Sequence, residues 1–200
     1  MDEVALEVLR TIRRARVIPV LRMDGPESVL RAANRLVDGG VELIEIAATT
    51  PQWMTALESA KKRHPNVIFG VGTIRTIDDA EAALRAGAEF LVCPHLSPPI
   101  REAVGGFLIE GGFTPNEIAQ AGSNGLAKLF PSHAVGPEYL RSLLAVLPEI
   151  PIMPTGGLTI EGALEWLRAG ATAVGVGSSL AEHPEPGQAI SEIRKRSEDL

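Results

Sequence analysis

Two hydrophobic periods alternate along this chain. Short apolar runs with the character of buried strands fall at residues 17–21, 43–47, 67–71, 90–93, 107–109, 125–131, 151–153 and 173–176. Each is followed by a segment with apolar residues three or four positions apart, the spacing of a single helix face. These helical segments cover residues 26–37, 51–63, 77–86, 98–104, 115–121, 137–146, 160–169 and a last stretch from about Ser178, broken near Pro184-Glu-Pro186. Gly39-Gly40, Gly87 and Gly170 stand where helices stop, and Pro51 suits a first helical turn. A further helix over residues 2–14 precedes the first strand. Strands that alternate with helices through short links pair in parallel, and eight such units are the number that closes a barrel. The pattern therefore predicts one (β/α)8 TIM barrel domain over residues 1–200 with an extra N-terminal helix. An open doubly wound sheet is the alternative.

Composition changes this picture little. Hydrophobic residues make up 45% and charged residues 22% of the 200 residues, as in an ordinary globular protein. The net charge of −6 argues against nucleic acid or an anionic membrane as partner, so any phosphate must be held by a local site. No apolar run approaches the ~18 residues of a membrane span, and the acidic start Met1-Asp-Glu has the wrong sign for a signal peptide. A single cysteine, Cys93, allows no internal disulfide; a cytoplasmic location is expected.

The chemistry centres on Gly125-Leu-Ala-Lys-Leu-Phe-Pro131. Lys128 shares a strand face with Leu126 and Phe130, in a segment apolar on both faces. Lysine is almost never fully buried without a partner or a task. It is either a snorkelling or ion-paired side chain, or an amine kept neutral by desolvation and able to attack a carbonyl. Glu45 lies mid-strand between Ile44 and Ile46, which takes it to the barrel interior with Lys128. It is an ion-pair partner for Lys128 or Arg22, or a proton shuttle for an imine. Thr73 ends the third strand, as a helix cap or a hydroxyl donor to a carboxylate. Arg22 ends the first, where it can hold an anion or pair with Glu45.

Barrel sites sit at the carboxyl ends of the strands, with phosphate on the loops after the seventh and eighth. Here those loops carry Thr155-Gly156-Gly157 and Gly175-Val-Gly177-Ser178, each leading into a helix whose free N–H groups suit an anion. Cys93 reads as a small buried hydrophobe, with no adjacent histidine to activate it. His64, His95, His133 and His183 lack metal-ligand spacing, so no metal is expected; His95 and His133 fall near the site rim.

Together Ile18-Pro-Val-Leu21, Gly40-Val-Glu-Leu-Ile-Glu-Ile46, Gly70-Val-Gly-Thr73, Lys128-Leu-Phe-Pro131, Pro154-Thr-Gly-Gly157 and Val174-Gly-Val-Gly-Ser178 resemble the 2-keto-3-deoxy-6-phosphogluconate (KDPG) / 4-hydroxy-2-oxoglutarate (KHG) aldolase family. The resemblance implies a homotrimeric class I aldolase without cofactor. Its substrate would be a small 2-keto acid phosphate, cleaved to pyruvate and glyceraldehyde 3-phosphate, or KHG cleaved to pyruvate and glyoxylate. It makes Lys128 the Schiff-base lysine and Glu45 the general acid/base. Thr73, Thr49 and Pro94 would contact the substrate carboxylate, and Gly156, Gly157, Gly177 and Ser178 the phosphate. Thr155 and Arg22 would meet hydroxyls or other groups. The galactonate epimer of the substrate, a phosphate-binding isomerase and a non-catalytic sugar-phosphate-binding barrel are the alternatives. The chain departs from the family in having Thr49-Thr50 where many members carry an arginine, and Glu110-Gly111 where Pro-Gly is usual.

Overall fold

The computed structural model describes residues 3–177, 179–180 and 183–197. Its strands are β1 (Val17–Leu21), β2 (Leu43–Ala47), β3 (Ile68–Gly72), β4 (Phe90–Val92), β5 (Phe107–Gly112), β6 (Ala127–Leu129), β7 (Ile152–Pro154) and β8 (Val174–Val176). All neighbours pair in parallel, in the order β7-β6-β5-β4-β3-β2-β1-β8. β1 pairs with β8, which excludes the open doubly wound sheet, and a bridge between Thr155 and Gly175 draws the last gap together. The helices are α1 (Glu3–Ala15), α2 (Pro26–Asp38), α3 (Trp53–Arg63), α4 (Ile77–Arg85), α5 (Pro98–Ala103), α6 (Pro115–Gly122), α7 (Pro137–Val146), α8 (Ile160–Arg168) and α9 (Pro186–Arg196).

The core has two layers, as alternating strand residues require. Val17, Leu21, Ile44, Ile46, Phe69, Val71, Leu91, Ala127, Leu129, Ile152 and Val174 face the helices. Ile18, Leu43, Phe90, Val92, Phe107, Ile109, Leu126 and Met153 fill the barrel. Their lower end is closed by α1, whose Ala5, Val8, Leu9 and Ile12 form one stripe and pack into that inner cluster. The amino-terminal mouth is thus plugged, and the interior opens towards the carboxyl ends of the strands.

Side-chain caps explain three of the helix starts. Thr76 accepts from the Asp79 N–H, Thr159 from the Gly162 N–H, and Thr114 with Glu117 makes a reciprocal capping box. Several boundaries differ from the sequence expectation: β6 covers Ala127–Leu129 rather than 125–131, and three other differences follow. α3 begins at Trp53 because Gln52 adopts a left-handed conformation, which leaves Pro51 in the preceding turn. β5 runs on through Glu110-Gly111-Gly112. The last helix is α9, starting at Pro186, while the expected start at Ser178 lies outside the described residues.

Candidate active site

Lys128 and Glu45 both enter the barrel, as the parity of their strands dictates. Lys128 is 5% exposed and Glu45 1% exposed. Lys128 stands in register with Gly111 on one side and Met153 on the other, and its Nζ lies 5.2 Å from the centroid of the Phe130 ring. Glu45 pairs with Gly70, and its carboxylate extends over Gly72, where any side chain would overlap it. The bland alternative of a direct ion pair is not what forms. Neither Lys128 nor Arg22 lies within 4.0 Å of Glu45 among the ion pairs of the described residues. Glu45 Oε2 is buried with no hydrogen-bond partner in the protein. Burial holds the Glu45 carboxyl above its ordinary value, and the charges of Lys128 and Arg22 only partly offset this. A buried, unpartnered carboxylate beside a buried amine is costly for stability and suits proton transfer.

The rim is built from neighbouring strand ends. Thr73 follows β3 in a left-handed conformation (φ 61°), and Arg22, exposed at the end of β1, approaches its Oγ1 from Nη2 at 3.4 Å. The two therefore flank β2 and Glu45. Thr73 caps no helix; Thr76 takes that part. Thr49 is exposed after β2, whereas Thr50 is buried and accepts from the Met23 N–H at 3.2 Å, tying the first two loops together. Pro94 turns its carbonyl over Gly111, beside Lys128. Proline has no N–H, so this residue supplies wall rather than a donor to a carboxylate.

Thr155 is buried, with its side chain over Gly175 and only a long 3.5 Å contact from Oγ1 to the Met153 carbonyl. Gly156 (φ 98°) and Gly157 (φ 71°) then take left-handed angles that only glycine adopts freely, and the chain enters α8. The Gly156-Gly157 and Gly177 loops lie side by side because β7 and β8 are neighbours through the Thr155–Gly175 bridge. Ser178 falls outside the described residues.

Glu110 is a residue whose part the sequence left open. It lies on the outer face of β5, 0% exposed, and accepts from the Ser97 N–H (2.7 Å), Arg101 Nε (2.6 Å) and Asn124 Nδ2 (3.2 Å). It anchors the short α5 to the barrel and is not a second carboxylate in the lumen. Cys93 is buried nearby, its thiol pushed up to about 12 by burial and then by Glu110, so it behaves as a hydrophobe. Replacing Glu110 with alanine orphans three donors; we expect a loss of about 2–4 kcal/mol, read as a fall in Tm of roughly 5–15 °C. A Tm within 2 °C of wild type would show that the anchor carries no weight.

A surface cavity of ≈ 700 Å³ opens at the opposite end of the barrel, between α1 and the starts of β5, β6 and β7. Leu6, Leu9, Arg13, Phe107 and Glu149 are among its lining, and neither Lys128 nor Glu45 reaches it. The Arg22, Thr73 and Gly156-Gly157 loops lie at the other mouth, at the carboxyl ends of the strands.

Known proteins are similar to this chain in sequence and fold. The profile of the KDPG and KHG aldolase family matches residues 8–192. The chain is 34% identical to the 2-dehydro-3-deoxy-6-phosphogalactonate aldolase of Escherichia coli, over 82% of this chain and 83% of that one. It is 31% identical to the 2-dehydro-3-deoxy-phosphogluconate aldolase of Pseudomonas aeruginosa, over 78% and 73% of the two chains. The KDPG aldolase of Legionella pneumophila, with pyruvate captured as a covalent carbinolamine, superposes with a TM-score of 0.82 at 26% identity, over 94% of this chain and 97% of that one. A parallel eightfold barrel with a buried lysine–glutamate pair at its open mouth, matched over nearly its whole length, leaves one conclusion: the chain is an aldolase and belongs to the KDPG and KHG aldolase family.

Proposed function

We propose that this protein is a class I aldolase acting on KDPG, with Lys128 as nucleophile and Glu45 as acid/base. The observation that carries the reading is the pair itself: a 5%-exposed lysine and a 1%-exposed glutamate inside one barrel, without a direct bond between them. Lys128 Nζ attacks the C2 ketone, and loss of water gives a protonated imine. The Glu45 carboxylate removes the C4 hydroxyl proton as the C3–C4 bond breaks. The bonding electrons pass into the imine to form an enamine, and glyceraldehyde 3-phosphate leaves. Glu45, now protonated, returns its proton to C3, and water hydrolyses the pyruvate imine. The carbinolamine described for the Legionella enzyme supports the first step.

In this reading Thr73 and the loops after β1 and β2 face the substrate carboxylate. The Gly156-Gly157 and Gly177 loops with the α8 amino terminus face the phosphate. A homotrimer in the cytoplasm, acting without metal or cofactor, completes it. Continuous assay of pyruvate release from KDPG, in buffer with and without EDTA, tests the reading. Equal turnover in both supports it; loss on chelation, restored by a divalent cation, would contradict it.

A second reading, cleavage of the galactonate epimer, is favoured by the 34% identity to the Escherichia coli enzyme that bears that name. We favour the gluconate epimer because the Thr155 hydroxyl, buried at the end of β7 with a single long hydrogen bond among the described residues, can reach a C4 hydroxyl. A neutral hydrogen bond contributes ~0.5–1.5 kcal/mol, so the preference should be several-fold to about tenfold. Thr155→Val should then lower kcat/KM for the gluconate epimer more than for the galactonate one. Equal losses, or a wild type that already prefers galactonate, would reduce Thr155 to packing.

A further inference from the structure

The proposed phosphate loops hold no basic side chain. Residues 154–159 (Pro-Thr-Gly-Gly-Leu-Thr) and 173–180 (Ala-Val-Gly-Val-Gly-Ser-Ser-Leu) contain no lysine, arginine or histidine. The chain carries a net charge of −6, so its overall field does not attract a phosphate dianion. Backbone N–H groups alone are neutral donors, and hydrogen bonds with a charged donor are roughly twice as strong.

A titratable side chain is fixed against this loop, and it comes from the turn that follows β6. His133 lies in the 3₁₀ turn Ser132–Ala134. Three bonds stitch that turn to the loop. The Ser132 N–H donates to the Thr155 carbonyl (2.9 Å), the Thr155 N–H to Ser132 Oγ (2.8 Å), and the His133 N–H to the Gly156 carbonyl (3.1 Å). The imidazole itself packs against Gly157, while Phe130 packs against Gly156. A Cβ added to Gly157 would come within 2.7 Å of His133 Cβ and 2.9 Å of its Nδ1, so the ring occupies the space a side chain there would need. Nδ1 lies 3.3 Å from the Gly156 carbonyl, a contact that places the proton on Nδ1. Nε2, at the other end of the ring, makes no protein hydrogen bond among the described residues, and the residue is exposed. In the protonated ring Nε2–H is a charged donor held beside the loop.

We infer that His133 is the side-chain wall of the phosphate site, able to meet a phosphate through Nε2–H when its ring is protonated, and sets the preference for phosphorylated over unphosphorylated substrates. The inference rests on the phosphate placement proposed above. His133→Asn tests it, because the amide can keep the Nδ1-type bond to the Gly156 carbonyl while removing Nε2 and the charge. The measurement is kcat/KM for KDPG against kcat/KM for unphosphorylated KHG, with inorganic phosphate as a competitive inhibitor of KDPG cleavage. The ratio of the two kcat/KM values should fall about 5- to 20-fold, through KM rather than kcat, and the inhibition constant of phosphate should rise by a similar factor. His133→Lys should restore part of both.

A variant that keeps the wild-type ratio and inhibition constant, or one that loses activity equally on both substrates, would overturn the inference and make His133 a packing wedge. A wild type with equal KM for both substrates and no inhibition by phosphate would overturn the phosphate placement, and this inference with it.

Discussion

Lys128→Ala should lower kcat/KM for KDPG cleavage by on the order of 10⁴-fold or more, the scale seen when a covalent nucleophile is removed. The side chain is 5% exposed between Gly111 and Met153, above the Phe130 ring, and no other lysine among the described residues enters the barrel. Lys61 bonds Glu89 on the outer surface, for example. Lys128→Arg should fare little better, since a guanidinium stays protonated and cannot form an imine. Circular dichroism and Tm separate this from unfolding, because alanine leaves the outer face of β6, Ala127 and Leu129, in place. Activity of either variant within tenfold of wild type would contradict the covalent route.

Glu45→Gln should lower kcat by about 10²–10⁴-fold, the usual worth of general acid–base help. Its pH dependence is the sharper signature. Burial raises the Glu45 carboxyl above 4.5, ahead of the opposing charges of Lys128 and Arg22. The carboxylate is the form that removes the C4 proton, so wild-type kcat should fall as pH drops through that raised value. This acid limb should be missing from the residual activity of the glutamine variant. Stability runs the other way. A carboxyl whose folded-state value is raised favours the folded state below the unfolded value of 4.5, and that advantage is lost as pH rises through the folded value. Relative to wild type, Glu45→Gln should therefore gain stability from pH 4.5 upwards and level off above the folded value. A parallel pair of stability curves, or an acid limb that survives the substitution, would move the proton to another group.

Where the sequence was legible, simple periodicities carried it. Eight apolar runs with helical segments between them fixed the architecture, and strand parity took Glu45 and Lys128 to the same interior. Parity would also have settled Glu110. Phe107 and Ile109 face inward, so Leu108 and Glu110 face outward. Gly111-Gly112 looked like the end of a strand because glycine usually marks turns. Here it continues β5, since Gly111 must admit the Pro94 carbonyl and Gly112 lies against α6. In sequence Thr73 reads as the helix cap, but the structure gives that part to Thr76. Thr76 wins because Asp79 stands three residues on, with its N–H free to be capped.

His133 gave a weaker signal. A lone exposed histidine in a loop carries no pattern, and the 23 residues that separate it from Gly156 are closed only by the barrel's own geometry. The side chain that packs on the glycine loop is found by asking what fills the space glycine leaves.

The account stands on a covalent bond at one nitrogen. Sodium borohydride added to the protein with pyruvate, followed by digestion and mass mapping, reads that bond directly. The account predicts irreversible, pyruvate-dependent inactivation and a reduced pyruvate adduct on the peptide bearing Lys128, absent when pyruvate or borohydride is left out. An enzyme that keeps its activity under these conditions, or an adduct carried by Lys61, Lys62 or Lys195 instead, would contradict it.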